Sequence, residues 1–161
     1  MDATTMRSMS SLTHKLKTDY PAITFFEADD FSWSPQTQTV SYAPKTPNAT
    51  QLLLHELSHG LLEHQEYHRD IQLLTMEAAA WENAKQLADH YNIRVAEAVI
   101  QNHLDTYRDW MHARSTCPEC TATGYQSSQS TYTCAACTHE WRVNEARLCG
   151  LKRFSVSKKA R

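Results

Sequence analysis

The chain has 161 residues, 41% of them apolar, with four Trp, seven Tyr and three Gly, enough for one packed domain or a smaller one with an appendage. Its formal net charge of −2 hides a division, since residues 142–161 sum to +6 and the preceding part to −8. The first residues lack the apolar core of a secretory signal and no run approaches the roughly 18–20 apolar residues that cross a bilayer, so a soluble, cytoplasmic protein with no membrane contact is expected.

Met6, Met9, Leu12 and Leu16 recur at spacings of three and four over residues 3–19, the pattern of an amphipathic helix, and Pro21 closes it. Residues 23–28, 31–35 and 37–44 are rich in β-branched and aromatic side chains, and predict the short strands of a small antiparallel sheet. Thr46-Pro47 predicts a helix start, with Thr as N-cap and Pro in the first turn, and this helix should run to about residue 63 or 65. Further helices are predicted over about 69–90 and 94–113, with Asn92 ending the first of them. After Arg114 the texture turns to Cys, Thr, Ser and Tyr. The expected organisation is an α+β domain over 1–113, with about four helices on the sheet, then a cysteine module over 114–148 and a basic tail over 149–161.

The helix after Pro47 contains His55-Glu56-Leu57-Ser58-His59. Residues four apart share a helix face, so His55 and His59 can bind one metal ion, and Glu56 stands where a carboxylate can take a proton from water. That donor set suits metal-assisted hydrolysis, but it needs a third ligand. A continuation with Gly at 62 and His at 65 is absent, because those positions hold Leu62 and Gln65. The next helix has an apolar stripe of Ile71, Leu74, Ala78, Trp81, Ala84 and Ala88, with Glu77 on its Leu74–Trp81 side. A carboxylate there is costly unless paired or bound to a cation. Glu82, about 140° round the helix, keeps company with Lys85 and Gln86 and reads as surface. Glu77 is therefore the expected third ligand, with the fourth position of a zinc ion left for water or substrate. His64 and His68 read as solvent-facing. His103, on the apolar stripe of the following helix, reads as a hydrogen-bonded core histidine or a group able to stabilise an oxyanion.

His55-Glu-Leu-Ser-His-Gly-Leu-Leu, followed by Glu77-Ala-Ala-Ala80-Trp81-Glu-Asn-Ala84, resembles the ImmA/IrrE family of small gluzincin metallopeptidases over about residues 1–113. The resemblance implies a minimal zincin fold, with His55, His59 and Glu77 as ligands of a catalytic zinc and Glu56 as general base. It also implies helix-turn-helix repressors as a substrate class. Trp81 stands where that family often has Asn, and the cysteine module is not part of its minimal domain. SprT-like proteases, which act on DNA-bound proteins, also join His-Glu-x-x-His to a zinc ribbon. They take a third His, for which His68 is the nearest candidate.

Cys117-Pro-Glu-Cys120 and Cys134-Ala-Ala-Cys137 are separated by thirteen residues, the spacing of a structural four-cysteine zinc site. Some thirty residues cannot bury enough apolar surface to fold alone, so a metal must supply the stability. Four thiolates fill the coordination shell, which makes this second zinc structural. Two such knuckles on a short hairpin with aromatic flanks resemble a zinc ribbon, although Thr121 and Thr138 stand where ribbons often place Gly. Cys149 reads as an ordinary thiol. The ribbon and the basic tail also suit an acidic or nucleic-acid partner, through Tyr125, Tyr132 or Trp141. The sequence thus predicts a zinc metalloendopeptidase acting on an intracellular protein, with a SprT-like protease or a non-catalytic ribbon adaptor as the alternatives.

Overall fold

The described elements of the computed structural model, which cover residues 3–146 and 150–156 with side chains from Met9 onward, form an α+β arrangement of four helices and two small sheets. Helix α1 (Ala3–Asp19) leads to strands β1 (Thr24–Glu27), β2 (Ser32–Ser34) and β3 (Thr39–Tyr42), then to α2 (Ala49–Leu61), α3 (Asp70–Tyr91) and α4 (Glu97–Ser115). Strands β4 (Gly124–Ser128), β5 (Thr131–Cys134), β6 (Glu140–Val143) and β7 (Arg153–Ser155) complete the chain. It divides into two compact units, Met1–Glu66 with Thr75–Gln101 and Tyr67–Leu74 with Asn102–Arg161. The Met6 side chain, Cys149 and the end of the basic tail lie outside the described residues. Among the described residues no helix is long and apolar enough to cross a membrane.

In the first unit the sheet is mixed, not antiparallel as expected. Its order is β1-β3-β2, with β1 parallel and β2 antiparallel to β3. A tight connection joins β2 to β3, where Gln38 turns left-handed (φ 49°) and its amide donates to the Pro35 carbonyl. That hairpin leaves only the other edge of β3 open to β1. Strand composition marks the three segments but not the order in which they pair. Val40 and Tyr42 of β3 are buried, as are Met9, Leu12 and Leu16 of α1 and Leu53, Leu54 and Leu57 of α2. Tyr91 donates a 2.6 Å hydrogen bond to Asp19, tying the end of α3 to the end of α1.

Helix boundaries differ from expectation by a few residues. α2 starts at Ala49 and is preceded by Asn48 in the left-handed region (φ 60°), so Thr46 is not its N-cap. Asn tolerates that conformation better than most residues, and the Ala49 amide donates back to the Thr46 carbonyl across the turn. Asn92 ends α3 as expected, at φ 55°.

The second unit is built on a buried ion pair. Arg114, near the end of α4, donates from Nε to Asp70 at 2.5 Å and from Nη1 to the Asn144 carbonyl at 2.6 Å. Both members of the pair are buried, and Tyr132 on β5 donates to the same Asp70 carboxylate. The Arg114 guanidinium lies 4.5 Å from the Trp110 ring, and Trp141 donates to the Arg114 carbonyl. The antiparallel sheet β4-β5-β6-β7 pairs Tyr132 with Trp141 across strands, rings stacked at 5.7 Å. Gly124 is required beneath that pair, because a Cβ there would collide with the Trp141 ring and the Thr133 carbonyl. The expected basic tail contributes a strand: Arg153–Ser155 pairs with β6. Its exposed side chains gave no apolar alternation by which to recognise it.

Replacing Arg114 with Met should cost about 3–5 kcal/mol, since it leaves Asp70 buried without its cation. Adding Asp70→Asn should recover part of that loss. Urea unfolding of the three proteins measures both, and a double variant no more stable than the single one would count against the ion pair as the source.

Candidate metal centres

The first centre is assembled from α2 and α3. His55 and His59 lie one turn apart on the buried face of α2, and Glu77 is buried on α3. His55 Nε2 is 3.0 Å from Glu77 Oε2 and 3.2 Å from His59 Nε2, and His59 Nε2 is 3.6 Å from the same carboxylate oxygen. Two ligands about 2.0–2.1 Å from a tetrahedral ion stand about 3.3–3.4 Å apart. The three donor atoms already hold that spacing, so the residues fit a metal ion. Around them, the His55 ring stacks on buried Trp81 at 4.4 Å, and Asn83 of α3 donates to Ser58 Oγ of α2. Glu77 sits four residues after buried Leu73 and ahead of buried Ala80, Trp81, Ala84 and Ala88. It faces the core as expected, whereas Ile71, expected in the same stripe, is exposed.

Burial alone would push the Glu77 carboxyl up, but the hydrogen bond from His55 and the nearby His59 imidazole outweigh it and hold Glu77 well below the usual carboxylate range. His59 is the complement. Burial lowers it, yet the close Glu77 carboxylate and the charge of Glu56 leave it raised above an ordinary imidazole. Glu56 is half-buried, outside the donor group but close enough for its charge to act on His59.

The second centre holds Cys117, Cys120, Cys134 and Cys137. The Cys117–Cys137 and Cys120–Cys134 sulfur pairs are 3.7 and 3.5 Å apart. A disulfide would bring them to about 2.05 Å, whereas thiolates at about 2.3 Å from a tetrahedral zinc stand about 3.8 Å apart. The backbone N–H of Cys137 donates to Cys134 Sγ and, against the opposing effect of burial, the N–H of Ala136 adds a second bond, drawing the Cys134 thiol down to about 6. Each knuckle closes through a left-handed residue, Thr121 and Thr138, both at φ 61°. Their N–H groups donate to the Cys117 and Cys134 carbonyls, both at 3.0 Å. This is why ribbons favour Gly at these positions, and a β-branched residue there is strained.

The remaining candidates separate clearly. His68 is exposed, with its N–H donating to Gln72, and does not belong to the donor group. His103 is half-buried beside Tyr107 in the second unit. Tyr132 and Trp141 are buried in the ribbon's core, so of the three aromatic residues expected to meet a partner only Tyr125 is exposed. His64 was expected to face solvent. Its Nδ1 instead lies 2.9 Å from His59 Nδ1.

Glu77→Gln should lower the metal content of the purified protein by one ion per chain, and His68→Ala should leave it unchanged. Metal analysis of both variants decides between a Glu and a His as third ligand. Thr121→Gly and Thr138→Gly should each raise the melting temperature of the loaded protein, by relieving about 1 kcal/mol of strain apiece. At the histidine centre, a metal ion must displace a proton that the raised His59 keeps to a higher pH than an ordinary imidazole does. With the cysteine centre already filled, zinc uptake should release fewer protons as pH rises, with affinity climbing over the same range. Calorimetry in buffers of different ionisation enthalpy reads this, and uptake independent of pH would contradict it.

Comparison of the chain with protein-family models, curated proteins and solved structures finds no match.

Proposed function

We propose that the chain is a zinc-dependent metallopeptidase of the ImmA/IrrE kind, with a minimal zincin fold carried by the first unit. The observation that carries this reading is the convergence of His55, His59 and Glu77 at the spacing of tetrahedral ligands, with half-buried Glu56 beside them. Two imidazoles with a carboxylate, and separately four thiolates, are donor sets that suit zinc. Three protein ligands leave a position open in the first centre, which gives a catalytic zinc, while the second is closed and structural.

Zinc bound by His55, His59 and Glu77 would polarise a peptide carbonyl and lower the pKa of water toward ~7. Glu56 is the group that accepts the proton of the attacking water and delivers it to the departing amine nitrogen. An extended substrate would pair with a sheet edge. The strand at Val40–Tyr42 cannot serve, because β3 is paired on both sides. β2 is an edge strand, and its Trp33 ring lies against Gly60 of the motif helix, so the substrate backbone is assigned to β2.

The substrate is an intracellular protein, with a helix-turn-helix repressor as the class implied by the resemblance. Against the SprT-like alternative, its nearest candidate for a third ligand, His68, is exposed and outside the donor group. A ribbon contact with a protein or nucleic acid would use the exposed Tyr125 and Phe154.

Glu56→Gln should keep both zinc ions, retain a substrate during co-purification, and cut it about 10²–10⁴-fold more slowly than the wild type. The retained partners, incubated with each protein and resolved by mass spectrometry, provide the assay. Equal cleavage by both proteins would sink the role of Glu56; no cleavage by either would favour an adaptor.

A further inference from the structure

α2 ends in a Schellman motif. The Glu63 amide donates to the Gly60 carbonyl at 3.1 Å, and the His64 amide to the His59 carbonyl at 3.0 Å. These are the two backbone bonds that define that cap. The motif needs a left-handed residue at its turn, which here is Glu63 at φ 54°. Its geometry folds the second residue past the helix back onto the last turn, where an apolar pair usually meets. α3 shows the usual version. Asn92 takes the left-handed position, and the Ile93 amide donates to the Ala88 carbonyl, an apolar residue over an apolar one. In α2 the two residues brought together are His64 and the metal-centre residue His59, with Nδ1 atoms 2.9 Å apart. Trp33 holds the returning chain, its Nε1 donating to the His64 carbonyl and its ring lying on Gly60.

We propose that His64 is a positioning residue for the metal ligand His59, delivered to it by the helix cap. The inference rests on reading His55, His59 and Glu77 as a metal site. His59 points Nε2 at the other two donors, so as a neutral ligand it carries its proton on Nδ1. That proton has one partner within reach in the geometry described, His64 Nδ1, which accepts it; His64 therefore carries its own proton on Nε2. The hydrogen bond fixes the tautomer and the ring angle of His59 and makes its Nε2 a better donor, as the outer partners of ligand histidines do. Glu63 accepts an unfavourable backbone conformation to complete the turn.

The test compares His64→Phe, which keeps a ring but offers no acceptor, with His64→Gln, whose amide oxygen can accept. Zinc affinity at the histidine centre is measured by chelator competition with the cysteine centre kept filled, and circular dichroism checks that each variant is folded. His64→Phe should weaken zinc binding about 10–100-fold, and His64→Gln should recover most of that loss. In ¹⁵N-labelled, zinc-loaded wild type and in the Gln variant the His59 Nδ1 proton should be protected from exchange, and in the Phe variant it should not. Phe and Gln variants that bind zinc as the wild type does, or that lose it equally, would overturn the proposal while leaving the metal site intact. A wild-type protein that takes up no second zinc would overturn the site reading itself, and the proposal with it.

Discussion

A carboxylate buried between two imidazoles constrains the first unit more than any other contact. Ionised Glu77 would be expensive in that position without positive charge beside it, and the structure brings His55 and His59 to it at 3.0 and 3.6 Å. Holding three donors at that spacing demands that α2 and α3 pack at a fixed register. The sequence meets the demand with small residues on the buried face of α3, Ala80, Ala84 and Ala88, and with Leu53, Leu54 and Leu57 on α2. The Asn83–Ser58 hydrogen bond and the Trp81 stack on His55 then set the register around the donors. In the metal-free state, Glu77 favours the protonated form of His59. Stability from the raised His59 is lost as pH rises through its folded pKa, and stability from the depressed Glu77 is lost as pH falls through its own. A divalent ion removes the first dependence by replacing the proton.

The two centres use strain in comparable ways. In the ribbon, Thr121 and Thr138 adopt a left-handed backbone so that the chain can wrap each pair of cysteines. At the end of α2, Glu63 adopts it so that the chain can double back. None of these residues is a glycine, so each turn carries a conformational cost that its neighbours must offset. Thiolate–metal bonds can do this in the ribbon. At Glu63 the compensation comes from the two cap hydrogen bonds and from Trp33 over Gly60.

Much of this was legible in the residues. His55 and His59 reveal themselves by helical spacing, and Glu77 by being a carboxylate among apolar neighbours. The two Cys-x-x-Cys pairs predict the group that the structure assembles. The misreadings have physical causes. Ile71 follows the helical period, but residues 67–74 belong to the second unit, so the period there reports a different environment. Pairing order in the first sheet is set by which edge a hairpin leaves free, and strand propensity carries no record of that. His64 was missed because the sign of a Schellman turn is Gly or Asn, and Glu63 is neither. The usable signal was the five-residue separation from His59, which only matters once the helix end is known.

The exposure of the donors also gives the first centre a direction. His55 and Glu77 are 0% and 5% exposed and lie against Trp81 and the packed face of α3, while His59 is 8% exposed. Its near neighbours Glu56, Gly60 and His64 are all half-buried. Glu56 and Gly60 are four apart and so share one helix face, and Trp33 of the edge strand β2 lies on Gly60. Access to the donors is therefore from the His59 side, between the Glu56 carboxylate and the edge strand. On the proposed peptidase reading, a peptide paired with β2 would arrive on that side, next to the Glu56 carboxylate. The same face carries the hydrogen bond between His59 and His64, so the ligand nearest solvent is the one whose ring is fixed by a hydrogen bond, whereas the ligand deepest inside is fixed by stacking on Trp81.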